Sequence, residues 1–175
     1  MKNQLLTFIV CLFCLSCATN PFTGKKTMAF MPNTQLLPMA FAEYDKFLSE
    51  HKVIKGTPDA EMITRVGQRI SVSAERWLDA NNHQGYLKDY KWEYNLVDDK
   101  AVNAWCMPGG KIVFYTGILP IAKNEAAIAA IMGHEVAHAL ANHGQQRMSA
   151  GMIQQGAGVG VAMATKDKIA TEQNM

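Results

Sequence analysis

The sequence predicts a single α+β domain that is mostly helical and contains a small antiparallel sheet. Three observations predict this class. Of the 175 residues, 49% are hydrophobic and 18% are charged, a composition that lets a globular domain bury a core. Residues 90–117 contain three short extended runs separated by turn residues. Residues 57–82 and 124–142 carry helix caps and helix-forming residues.

The first twenty residues resemble an export signal that ends in a lipidation site. A lysine precedes an apolar run from Leu5 to Leu15, which is too short to span a bilayer but suits a signal peptide. Leu15-Ser16-Cys17 is similar to the cleavage box of bacterial lipoproteins, although Cys14 stands where Leu is usual. We therefore expect a signal peptide over residues 1–16 and a lipid on Cys17. A plain signal peptide or a buried first helix is the alternative.

Charge and cysteine content argue against a nucleic-acid-binding protein and against a small protein held together by disulfides. The net charge is +2 and the basic residues are scattered, so nothing predicts a nucleic-acid partner. Cleavage before Cys17 would leave Cys17 and Cys106, which cannot build a disulfide framework.

A tether and a first helix are predicted before the main domain. Residues 17–33 hold prolines, a glycine and polar turn residues, which predict a tether, so the domain is expected to span residues 34–175. Residues 35–50 have apolar positions at helical spacing, and Pro38 predicts that this helix begins near that residue.

The segment over residues 57–82 predicts a longer helix. Thr57 can cap it and Pro58 suits its first position. Asn81-Asn82 marks its end. Its apolar stripe recurs at every fourth residue, at Met62, Val66 and Ile70.

Three extended runs, residues 90–99, 101–107 and 111–117, predict the sheet. The first alternates, is rich in aromatic residues and ends at two aspartates. Pro108-Gly109-Gly110 turns the chain between the second and third runs. We expect these runs to form a small antiparallel sheet directly before the next helix.

That next helix is predicted by Asn124 as a cap, Glu125 in the first turn and an alanine-rich stretch up to residue 142. The Gly, Ala and Met residues of 151–165 then predict a weak helix that needs a partner. Its apolar run of about ten residues is too short for a membrane span.

Residues 134–138 read His-Glu-Val-Ala-His, a motif that supplies a metal with two ligands and a base. Residues four apart share a helix face, so His134 and His138 can bind one metal ion. Glu135 lies 100° around the helix, where it can take a proton from water that the metal has made acidic. A catalytic zinc needs three protein ligands. The alternative is two surface histidines that bind nothing.

His143 is a candidate third ligand that we do not favour. If the helix continues, a residue nine positions after His134 points away from the metal. The metzincin pattern requires Gly at position 141 and His at 144, but the sequence has Ala141 and Gly144. We expect His143 to be a surface or capping residue.

The stretches VNAWCMPGGKIVFYTGILP and NEAAIAAIMGHEVAHALANHGQQR resemble peptidase family M48. The similarity is greatest to its bacterial lipoprotein branch, whose mature chain also begins like CATNPFTGKK, and it extends from Cys17 to about Arg147. The resemblance implies a gluzincin fold in which a small sheet lies over the helix with the H-E-x-x-H motif.

The resemblance also implies roles for individual residues. It makes His134 and His138 zinc ligands and Glu135 the catalytic base, with a downstream Glu in an E-x-E-A-D segment as third ligand. The strand bearing Asn103 and Ala104 would be the edge that binds an extended protein or peptide substrate.

The E-x-E-A-D segment does not occur after His138, where the acidic residues are Asp167 and Glu172. We interpret the chain as a C-terminally truncated peptidase domain without the third-ligand helix. The third ligand is either absent from this chain or is Glu172 or Asp167. We therefore expect these 175 residues to bind zinc weakly and to show no appreciable peptidase activity, as zinc titration with a casein assay on purified Cys17–Met175 would test.

The function that the resemblance implies is a zinc endopeptidase of the cell envelope. It would be held by its lipid, face the periplasm and act on misfolded or unassembled envelope proteins. Ala18, rather than Asp, follows Cys17, which favours the outer membrane. The alternative is a non-catalytic envelope chaperone or adaptor that retains the fold.

Overall fold

The computed structural model describes residues 17–28, 31–147 and Gln154. The predicted export signal and, apart from Gln154, the predicted helix at 151–165 lie outside these residues. In chain order the elements are β1 (Cys17–Thr19), β2 (Lys26–Met28), α1 (Asn33–Glu50), β3 (Val53–Ile54), α2 (Pro58–Ala80), β4 (Glu93–Val97), β5 (Ala104–Met107), β6 (Lys111–Tyr115), a 3₁₀ helix (Thr116–Ile118), α3 (Leu119–Ala122) and α4 (Glu125–Leu140). Residues 143–147 are again helical. The α+β class is confirmed.

The larger sheet is mixed rather than antiparallel, so that part of the prediction is wrong. Its strand order is β3-β4-β6-β5, and β4 pairs with β6 in parallel. The reason is burial. Ile112, Val113 and Phe114 of β6 are completely buried, so β6 takes an interior position, whereas β5 is partly exposed and takes the edge. The chain therefore passes beyond β6 to form β5 and returns through an antiparallel hairpin.

The predicted turn at Pro108-Gly109-Gly110 closes that hairpin. Both glycines have left-handed backbone angles, with φ of 85° and 82°. The N–H of Gly110 donates to the carbonyl of Met107 at 3.2 Å. Glycine adopts such angles without a steric penalty, which is why the turn is possible here.

Helices cover both faces of this sheet. Alternate residues of β6 point to opposite faces, so Ile112 and Phe114 join the main core, to which α2 and α4 contribute. Val113 faces the other way and packs with Tyr44 of α1 and Val97 of β4. The described domain therefore has three layers, with the sheet in the middle.

The caps of α2 and α4 are those the sequence predicts. The Thr57 hydroxyl accepts from the Ala60 N–H at 3.2 Å, and the Asn124 side chain accepts from the Ala127 N–H at 2.9 Å. The predicted end of α2 is also confirmed, since Asn81 caps it. The centre of its buried stripe is Ile63, Val66 and Gly67, while Met62 and Ile70 flank that stripe and are half-buried.

Helix α1 begins at Asn33, five residues before the predicted start at Pro38, so Pro38 lies inside the helix. Leu36 and Leu37 are buried, so tertiary packing holds the first turns helical. Pro38 lies in the second turn of the helix, and its missing N–H removes a single hydrogen bond, to the Thr34 carbonyl.

The predicted tether includes a small hairpin, β1–β2, that contacts the domain. Asn20, between its strands, is buried and donates from Nδ2 to the Leu140 carbonyl at 2.7 Å. Phe22 packs edge-to-face on Trp77 of α2, with 5.3 Å between ring centroids. The proposed boundary between tether and domain at residues 33–34 stays a prediction.

Helices within the described ranges lack the combination of length and apolar character that a membrane crossing requires.

Gly67 of α2 packs directly against the Tyr94 ring of β4, and this contact predicts a stability difference. A Cβ on Gly67 would overlap the Tyr94 ring, which the Tyr94 hydroxyl fixes by donating to Ser71 Oγ at 2.9 Å. We expect Gly67→Ala to lower the free energy of unfolding by about 1–3 kcal/mol, the usual cost of overpacking.

Gly133→Ala is the matched control, because it also adds a methyl group inside a helix. Apart from its chain neighbours and the adjacent backbone of α4, no described atom lies within 4 Å of a Cβ at Gly133. Ala should there raise the free energy of unfolding by about 0.5–1 kcal/mol. Urea denaturation of both variants measures the difference, and equal changes would contradict this account of Gly67.

Candidate metal and catalytic site

Helix α4 is fixed at its start by charge as well as by its cap. The Glu125 carboxylate accepts from Arg65 at 2.8 Å and from Arg69 at 3.3 Å, both on α2. The first hydrogen bond lowers the pKa of Glu125. An acidic residue in the first turn also suits the positive end of the helix dipole.

One face of α4 is buried and a different face carries the motif histidines. The buried residues are Ile128, Met132, Val136, Ala139 and Leu140. His134 and His138 are exposed, and their Nε2 atoms lie 3.0 Å apart.

This convergence fits a zinc ion. A tetrahedral zinc with Zn–N bonds of 2.0–2.1 Å separates two of its nitrogen ligands by about 3.3 Å, so the two rings need to move very little. The donor set also fits, because neutral imidazole is a usual zinc ligand.

Glu135 is half-buried, and its helix α4 packs against β5. Burial raises the pKa of the Cys106 thiol on β5, and the negative charge of Glu135 raises it further. The carboxylate is therefore near the strand, as a base that works between metal and substrate must be. Because its pKa is raised, the Cys106 thiol stays protonated near neutral pH and is unsuited to act as a nucleophile.

Strand β5 forms the edge of the sheet beside α4. The Asn103 carbonyl accepts from the Tyr115 N–H at 3.1 Å, so it faces β6 and not the open edge. Because hydrogen-bonding direction alternates along an antiparallel strand, the outward backbone groups are those of Ala104 and Cys106. From the sequence alone, we did not predict that Cys106 would present its backbone at the open edge beside Ala104. Substrate binding by Asn103 and Ala104 stays a prediction.

A cavity of about 420 Å³ opens between β5, α1 and the C-terminal part of α4. Its walls include Trp105, Met107 and Leu36, and His138 lies at its border. The cavity therefore joins the histidine pair to a mainly apolar recess.

His143 is an exposed residue, as predicted, but it is turned toward the motif, in contrast to the expectation that it points away. That expectation required the helix to continue, but α4 ends at Leu140 and Asn142 takes a left-handed φ of 58°. The resulting turn places His143 Nδ1 at 2.6 Å from His138 Nδ1.

Buried and partly buried hydrogen bonds hold this turn. Asn142 donates to the Tyr86 hydroxyl at 3.1 Å, and Asn20 donates to the same hydroxyl at 3.4 Å and to the Leu140 carbonyl at 2.7 Å. Beyond the turn, the buried Gln145 side chain donates to the Met31 carbonyl at 2.5 Å. Two segments distant in sequence thus hold the residues on both sides of His143.

Across residues 17–28 and 31–147, no group of three or more His, Cys, Asp or Glu side chains is placed to hold one metal ion. Asp167 and Glu172, the candidates for a third ligand, lie outside the described residues.

Comparison with known proteins places the motif in context. The family model described as "Peptidase family M48" matches residues 67–174, more than half of the chain and including the whole motif. Mitochondrial metalloendopeptidase OMA1 of Arabidopsis thaliana is 33% identical over 107 residues, which are 57% of this chain and 22% of the relative.

Two further relatives carry similar names. Mitochondrial metalloendopeptidase OMA1 of Schizosaccharomyces pombe is 40% identical over 63 residues, 36% of this chain and 19% of the relative. Metalloendopeptidase OMA1, mitochondrial, of Homo sapiens is 24% identical over 137 residues, 77% of this chain and 24% of the relative. The matched part thus spans less than a quarter of the length of each of these three relatives.

Proposed function

Because the chain belongs to peptidase family M48, we propose that it is a zinc-dependent endopeptidase of the cell envelope. The observation that carries this proposal is the convergence of the His134 and His138 Nε2 atoms, 3.0 Å apart, beside Glu135. The names of the relatives, which are metalloendopeptidases, support the same activity. A protein or peptide is therefore the proposed substrate.

His134 and His138 would hold the zinc through Nε2. Zinc bound there would supply Lewis acidity, which polarises a peptide carbonyl and lowers the pKa of water. Glu135 would accept the proton of the attacking water and later transfer it to the leaving amine. Its position next to His134, on a helix that packs against β5, suits both transfers.

The substrate would bind in extended form along the open edge of β5. The outward N–H and C=O groups of Ala104 and Cys106 provide main-chain hydrogen bonds for an added strand. The neighbouring 420 Å³ cavity would receive a substrate side chain, and its walls from Trp105, Met107 and Leu36 favour an apolar one.

The envelope location rests on the N-terminal sequence, with the lipid on Cys17. Three residues after Cys17, the Asn20 side chain donates a hydrogen bond to the carbonyl of Leu140, the last residue of α4. Since three extended residues span roughly 10 Å, the lipid would keep the C-terminal end of α4 close to the membrane surface. A peptidase held in this way could reach misfolded or unassembled envelope proteins, the substrates we propose.

Glu135→Gln tests the proposed base in a form of the protein that cleaves casein. Gln keeps the shape of the side chain but cannot accept the proton, so turnover should fall by roughly 10²-fold or more while zinc stays bound. Casein hydrolysis and zinc content should be measured on the same sample.

Glu125→Gln provides the control, because it makes the same change on the same helix, at the end away from the motif. It should leave turnover near that of the wild type. Wild-type turnover in Glu135→Gln, with zinc retained, would show that Glu135 is not the base.

The proposed anchor predicts the mass of the N-terminal peptide from the native host. Mass spectrometry should find a chain that begins at Cys17 and carries lipid on that residue. Cys17→Ser should yield a protein without lipid that is released from the membrane fraction. An unmodified Cys17, or cleavage elsewhere, would overturn the lipoprotein proposal and leave the peptidase proposal unaffected.

A further inference from the structure

We propose that His143 is a positioning residue for the metal site, an inference that rests on the proposed zinc ligands. Its Nδ1 accepts a hydrogen bond from Nδ1–H of His138. That bond fixes the orientation of the His138 ring and leaves Nε2 as the nitrogen that is free to bind zinc.

The two nitrogens of His138 face different partners. Nε2 is 3.0 Å from His134 Nε2, and Nδ1 is 2.6 Å from His143 Nδ1. A neutral imidazole carries one proton, so a ring that binds metal through Nε2 is protonated on Nδ1 and needs an acceptor there. His143 supplies that acceptor at hydrogen-bonding distance.

The same geometry argues against His143 as the third zinc ligand. It contacts the nitrogen of His138 that is directed away from His134, so it stands on the opposite side of the ring from the point where the two Nε2 atoms converge. A residue there can orient a ligand but does not join the ligand pair.

The fold holds this acceptor in place, although the His143 side chain itself is exposed. The Asn142 side chain donates a hydrogen bond to the hydroxyl of the half-buried Tyr86, and the buried Gln145 side chain donates one to the Met31 carbonyl. The left-handed backbone of Asn142 then directs the chain so that His143 stands beside His138. Because contacts on both sides fix the backbone, the acceptor is preorganised before metal binds.

The experiment compares two substitutions of His143 in the full chain. Asn places its amide oxygen near the position of imidazole Nδ1 and can accept the hydrogen bond, whereas Ala cannot. Zn²⁺ and Co²⁺ dissociation constants should be measured at one fixed pH by competition with a chromophoric chelator. Circular dichroism should establish that each variant is folded.

We expect His143→Ala to weaken zinc binding by about 10–100-fold, the usual effect of removing a partner of a metal-bound histidine. His143→Asn should restore binding to within about threefold of the wild type. The visible spectrum of bound Co²⁺ should keep its wild-type shape in the Asn variant. His83→Ala, which removes another exposed histidine, should leave the affinity unchanged.

His138→Ala separates the failure of this inference from failure of the proposed metal site. If His138→Ala abolishes binding but His143→Ala binds as the wild type does, the positioning role is wrong and the zinc site stands. If the Asn variant is as weak as Ala and its Co²⁺ spectrum indicates one nitrogen ligand fewer, His143 is a ligand and the inference is overturned. If His138→Ala binds zinc like the wild type, the proposed site fails and this inference with it.

Discussion

The burial of the central residues of β6 on both faces of the sheet is the constraint on which the arrangement of the other elements depends. Its residues Ile112, Val113 and Phe114 have apolar partners on both faces of the sheet, so helices must cover both sides. Strand β5 is then left at the edge, beside α4. The motif helix and an open strand edge are therefore neighbours because of how the core is filled, and a peptidase needs that proximity of base and substrate.

The C-terminal end of α4 depends on a second interaction, the hydrogen bond from Asn20 to the Leu140 carbonyl. The last carbonyls of a helix lack partners within the helix, and a buried one needs an external donor. Asn20 provides it from a segment 120 residues away in sequence. The same segment follows the proposed lipid site, so the N-terminal hairpin links the anchor to the part of the chain that shapes the metal site.

Features set by local chemistry could be predicted from the sequence, and features set by distant contacts could not. Thr57 and Asn124 cap helices through their own side chains, so the residue types alone predict where α2 and α4 begin. Pro38 gave the wrong start for α1, because the burial of Leu36 and Leu37 stabilises the first turns by more than one missing hydrogen bond costs. The parallel pairing of β4 and β6 depends on which strand is buried on both faces, which no local pattern reveals.

At the site, the pairing of His134 and His138 followed from helical spacing alone, whereas the position of His143 depends on where α4 ends. Asn142 followed by His143-Gly144 was a usable signal for that end, since Asn and Gly favour the left-handed backbone that ends helices.

The exposure of His134 and His138 determines what kind of stabilisation a metal can gain there. At a site open to water, charge interactions are weakened by the high dielectric constant, so an additional charge nearby contributes little. Ordering the ligands before the metal arrives contributes more, because less conformational entropy is then lost on binding. Helix α4 fixes the spacing of the two backbones but leaves each ring free to rotate about its side-chain bonds. A hydrogen bond on Nδ1 removes that freedom for His138 without competing for the nitrogen that faces His134. The end of the helix at Leu140 is therefore part of the site, since a continuous helix would carry His143 to the other side.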